Sequence, residues 1–94
     1  MRDLPSIELL EDTHHFPTYY MFKVIGKAEN GFIARAVAAV REELFLERDP
    51  PYYVRDARSS RHVAVTLEPL VQDAEQVVAL YRRLVELDGL VVLW

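Results

Sequence analysis

The segment FPTYYMFKVIGK, residues 16–27, decides how this chain is read. Its Tyr, Phe, Val and Ile residues favour an extended strand over 18–26. Lys23 sits near the middle of it. Successive strand side chains point to opposite faces, so Tyr20, Phe22 and Val24 form one set and Tyr19, Met21, Lys23 and Ile25 the other. The first set is apolar enough to enter a core. Lys23 therefore predicts a sheet with one covered face and one open face.

The flanking residues extend this pattern. Upstream, DLPSIELLE (3–11) reads as a short helix with Asp3 as its cap. A free helix of that length is marginal, so it must dock or fray. Pro17 biases Phe16 toward extended backbone. Downstream, ENGF is a turn, and Asn30 is the expected N-cap of a helix over 31–45. Ile33, Ala36, Val37, Val40 and Leu44 fall at helical spacing on its inner side. Pro50 and Pro51 cannot continue it.

Residues 52–58 and 61–68 read as two strands joined near Ser59 and Ser60. The second alternates Val63, Val65 and Leu67 against His62, Ala64, Thr66 and Glu68. The first carries Arg55, Asp56 and Arg58, which suit an exposed edge. Residues 74–88 form the next helix, with Asp73 and Gln76 in capping-box spacing and Gly89 placed to end it. LVVLW (90–94) is the last strand.

After the N-terminal segment the order is β-α-β-β-α-β. Two split β-α-β units give an α+β, ferredoxin-like sandwich: a four-stranded antiparallel sheet of order 4-1-3-2 with both helices on one face. The expected core is Phe22, Val24, Ile33, Val40, Val65, Leu80 and Leu84. The 94 residues read as a single domain, 1–94, with 1–15 as an N-terminal extension.

Hydrophobic residues make up 51% and charged residues 28%, a globular balance. The chain has no cysteine, which removes disulfides, thiolate metal sites and a cysteine nucleophile from consideration. Its formal net charge of −4 argues against a generic phosphate-backbone binder. No apolar run approaches the ~20 residues that cross a bilayer, and MRDLPSIELLED carries acids inside its apolar stretch, unlike a signal peptide. The expected location is the cytoplasm, with no membrane partner.

The segment FPTYYMFKVIG closely resembles the FPxxxxxKVxG start of the first strand in the YbeD-like family of small bacterial proteins of unknown function. HVAVTLEPLVQDAEQVVALYRRLVELDGLVVLW is similar to that family's third strand, second helix and final strand. The resemblance covers roughly residues 14–94 and is most specific at Phe16, Pro17, Lys23, Val24 and Gly26. RDARSSRH (55–62) departs from it, lacking the family's Gly and Tyr in that turn. The family is similar in fold to ACT-type regulatory modules that bind small metabolites. The resemblance implies no catalytic residues.

The residues themselves assemble no catalytic constellation. His14 and His15 are adjacent in an extended segment and diverge, a poor chelate. His62 alone is an ordinary surface histidine, and Ser59 and Ser60 have no acid–His pair placed to activate them. The expectation is therefore no enzyme, no metal and no cofactor. The open sheet face is different. It should carry Met21, Ile25, Ala64, Val92 and Trp94, punctuated by Lys23, His62 and Thr66, which is more apolar than a freely solvated face. Another subunit, the N-terminal helix or a ligand should cover part of it. Lys23, His62, Thr66, Met21 and Trp94 are the candidate ligand- or partner-binding residues. A small non-catalytic, regulatory module follows, binding a small metabolite or a protein partner, with a homodimer as one use of the face. The alternative is single-stranded nucleic acid on a Tyr19, Tyr20, Tyr52 and Tyr53 platform.

Overall fold

The computed structural model describes residues 4–56 and 61–94. The proposed Asp3 cap and the Ser59–Ser60 turn lie outside the described residues. The elements are α1 (Ile7–Thr13), β1 (Thr18–Tyr19), β2 (Phe22–Lys27), α2 (Phe32–Glu43), β3 (Tyr52–Asp56), β4 (His62–Leu67), β5 (Leu70–Val71), α3 (Ala74–Val85) and β6 (Leu90–Leu93). They form an α+β architecture of three helices and two antiparallel sheets. One sheet runs β3-β4-β2-β6, and the other pairs β1 with β5.

The first strand, expected over 18–26, is split. Its partner β5 falls in a stretch that the sequence presents as connector. The register explains the split: Thr18 opposite Val71 and Tyr19 opposite Leu70 continue the Phe22–Leu67 and Lys23–Thr66 pairing. The two ladders are one long antiparallel pairing with a gap. At the gap Tyr20 N–H donates to the Pro69 carbonyl at 3.0 Å, and Pro69 has no N–H to return.

The helix ends also differ from the sequence pattern. Ser6 caps α1, accepting from the Leu9 amide at 3.0 Å. Helix α2 starts at Phe32 without a side-chain cap, because Asn30 and Gly31 both take left-handed backbone (φ 54° and 65°). It closes before the prolines. Phe45 N–H donates to Glu42 O and Leu46 N–H to Arg41 O, with Phe45 itself left-handed at φ 54°. In α3 Asp73 accepts from the Gln76 amide at 2.9 Å as expected. The Gln76 side-chain Oε1 accepts from Gln72 N–H at 2.8 Å, one residue before the capping-box donor. This helix ends at Val85, so Gly89 (φ 89°) shapes the turn into β6 instead of closing the helix.

Phe22 and Val24 of β2 and Val63, Val65 and Leu67 of β4 face α2 and α3 and are buried with Val40, Leu80 and Leu84. Ile33 is only half-buried; Phe32 takes the central place instead. Leu10 of α1 is buried, and α1 lies along α3, on the helix side of the sheet. The N-terminal helix therefore leaves the opposite sheet face open.

Tyr81 of α3 closes the core beside Tyr20, with their hydroxyls 3.3 Å apart. Burial first, then the hydrogen bond and proximity to Tyr20, push the Tyr81 phenol well above the usual tyrosine range. The folded state thus favours the neutral phenol. Its stabilisation is fully present below the unfolded tyrosine value near ~10 and drains away as pH rises through the raised folded value. Alkaline denaturation curves should show up to ~1.4 kcal/mol lost per pH unit above ~10. Tyr81→Phe should flatten that slope; an identical slope in the variant would assign the alkaline loss elsewhere.

Candidate functional site

The helix-free face of the four-stranded sheet is built by strand parity and register. The Lys23–Thr66–Tyr53 row crosses β2, β4 and β3. Trp94 extends it on the far side: Lys23 N–H donates to Trp94 O at 2.6 Å, and Trp94 N–H to Lys23 O at 2.9 Å. The next row is Val92–Ile25–Ala64–Arg55, and Lys27 pairs with His62 beyond it.

The Lys23 ammonium leans toward β6 and lies 5.3 Å from the centroid of the Trp94 ring. Such a cation–π contact contributes ~0.5–1 kcal/mol at an exposed site. Next to it Thr66 is only 3% exposed, although it sits on the face without helices. The row is edged by exposed rings, Tyr53 at 54% and Trp94 at 52%. Met21, two residues before Lys23, is exposed as well.

Of the sequence-predicted residues, Lys23, Thr66 and Trp94 share one row, and Met21 lies one row beyond it. His62 does not join them. It is four residues from Thr66 along β4, roughly 13 Å at strand rise. The tyrosine platform also separates. Tyr20 packs against the core, Tyr52 shares its side of the sheet with Leu67, Tyr19 is exposed in the separate β1–β5 ladder, and Tyr53 is left on the open face of the four-stranded sheet.

Charge is the feature that the sequence totals conceal. The strand positions of this face hold Lys23, Lys27 and Arg55, together with His62, and the acid Glu68 follows directly after β4 in the same phase, beside Met21. The chain as a whole carries −4. Three cations against Glu68 leave an anion approaching this face a local excess of positive charge.

His14 has structural partners. His14 Nδ1 lies 2.9 Å from Thr13 Oγ1, and its ring rests against Phe16 and Tyr20. Among the described residues no three His, Asp or Glu side chains gather to hold a metal, and no helix is long and apolar enough to cross a membrane.

Residues 11–93 match the family described as "Protein of unknown function (DUF493)". The chain belongs to that family. DUF493 is the YbeD-like family whose pattern runs through residues 16–26. No curated protein matches the chain. Within the DUF493 pattern, Phe16 packs on the core, Val24 is buried in it, and Gly26 lies under the Phe32 ring. Lys23 has no such place in the core, and its ammonium lies over Trp94.

Proposed function

We propose that this chain is a small non-catalytic binding module, regulatory in character, that takes an anionic group on its open sheet face. The group is the carboxylate of a small metabolite or of a protein partner. We read the four-stranded sheet and its two helices as the ferredoxin-like plan, in which an open face is free to serve a ligand. The observation that carries the reading is the segregation of Lys23, Lys27 and Arg55 onto one face of an acidic chain. Lys23 is its centre: the ammonium supplies charge, and the exposed rings of Trp94 and Tyr53 supply an apolar surround.

The test is Lys23→Met, which keeps apolar bulk and removes the charge. Folding stability should change by less than ~1 kcal/mol, the scale of the lost cation–π contact. Affinity for carboxylates should fall ~10–100-fold, the scale of a charge-assisted hydrogen bond. Amide chemical shifts during titration with small mono- and dicarboxylates and with inorganic phosphate provide the measurement. Shifts confined to other surfaces, or equal affinity in the variant, would remove the reading.

A second reading, single-stranded nucleic acid, is favoured by one observation. Tyr53 and Trp94 are exposed on either side of Lys23 and could stack bases along the row. Binding to oligo-dT that weakens steeply with salt, with carboxylates inert, would select it.

A further inference from the structure

We infer that β6 is a self-pairing edge, and that a second copy of this chain adds there to form a continuous eight-stranded antiparallel sheet. The inference is independent of the anion-binding reading. Among the described residues β6 has β2 on one side and no strand on the other. Lys23 and Trp94 exchange both backbone hydrogen bonds. In an antiparallel ladder such pairs alternate with pairs whose groups turn outward. The adjacent Val24–Leu93 pair is of the second kind, so Leu93 presents its N–H and C=O to the open edge.

Most edge strands carry charges, bulges or prolines that discourage pairing. The opposite edge, β3, includes Arg55 and Asp56. Strand β6 is Leu-Val-Val-Leu, without a charge. A bulge is present, but Val91, the residue it leaves without a partner on β2, is apolar and 49% exposed. Beside this edge runs an open groove of about 910 Å³ lined by residues 85–94. Val85 and Leu87 are among its lining residues, giving an added strand apolar side chains to meet.

Two features select a second copy as the occupant. Paired antiparallel with itself through the outward groups of Leu93, β6 places only Leu, Val or Trp94 opposite its own residues, so no charge is buried. The same two-fold brings the acidic turn of one copy, with Glu86 and Asp88, to the end of the partner's sheet, where Lys23 leans over Trp94 toward the edge. The charges are complementary, and the symmetry repeats the match. Pairing β6 with β3 of another copy would instead propagate without closing and would meet charged positions.

The experiment is sedimentation velocity of the full chain over a concentration series, with Val91→Lys beside the wild type. Val91 has no partner on β2, so its substitution leaves the β2–β6 ladder intact; circular dichroism checks this. The wild type should form a concentration-dependent dimer that weakens with added salt, and the Leu93 amide should gain exchange protection as the dimer forms. Val91→Lys should weaken dimerisation by ten-fold or more. Tyr53→Lys, on the open face, should leave it unchanged. A wild type that stays monomeric to millimolar concentration overturns the inference. So does a dimer that tolerates Val91→Lys and is lost in Tyr53→Lys.

Discussion

Phe32→Ala should destabilise the fold by ~3–5 kcal/mol, the range for truncating a buried aromatic. Against a total of ~5–15 kcal/mol for a domain, that leaves little in reserve. The ring sits at the start of α2, buried, with its tip over Gly26 of β2. A Cβ at Gly26 would fall 2.2 Å from the Phe32 Cζ and 2.4 and 2.5 Å from the two Cε atoms. No side chain tolerates that approach, so either the ring or the strand must shift. Gly26→Ala should therefore cost ~1–3 kcal/mol as an overpacked site. The two costs should not add. With the ring gone, the methyl enters the space it vacated, and alanine is a better strand residue than glycine. Urea denaturation of both single variants and the double variant gives the coupling. In the Phe32→Ala background, Gly26→Ala should be neutral or mildly stabilising; full additivity would mean that the glycine is there for another reason.

This pair also shows what the sequence made legible. Period-two alternation in residues 22–24 and 63–67 assigned faces correctly, because burial on one side of a sheet leaves a direct imprint. Helical spacing placed Val37 and Val40 inward for the same reason. Helical spacing starts the stripe at Ile33 and gives no sign of Phe32, because a first-turn residue is buried only if something opposite makes room. That something is a missing side chain on another element. The β1–β2 break is similar. Pro69 is visible in the sequence, but its effect on Tyr20 exists only once the register sets them opposite one another.

The candidate site divides along the same line. Parity alone put Lys23, Thr66 and Trp94 on the open face. Register decided that they share a row and that His62 stands apart from it. Net charge was misleading as a guide to partners, since −4 is a sum over surfaces that the fold separates. In the sequence Arg55 reads only as an edge charge, and Lys27 carries no signal of its face. Each joins the basic face through its cross-strand partner, Ala64 for the first and His62 for the second.

Phe22→Ala is the second substitution with a large expected effect, ~3–5 kcal/mol, and its consequences should be uneven across the chain. Phe22 is fully buried at the centre of an aromatic cluster. Its ring centroid lies 4.8 Å from that of Tyr81 at a steep angle and 4.9 Å from that of Tyr20. Tyr20 in turn meets Tyr81 edge-on at 6.1 Å and His14 at 5.2 Å, and His14 meets Phe16. Each well-set ring pair adds ~0.5–1.5 kcal/mol beyond area burial. The cluster joins β2 and α3 to the segment that follows α1. Helix α1 has only seven residues, too few to hold itself in water, so it depends on Leu10 and this cluster for its docking on α3. Removing Phe22 undermines Tyr20 and Tyr81 together. Native-state hydrogen exchange should then show α1 and β1 opening at much lower free energy than β4, while in the wild type the gap is smaller. A uniform loss of protection across the chain would instead mean that the N-terminal segment is held by Leu10 alone and that the ring cluster is a local feature of the core.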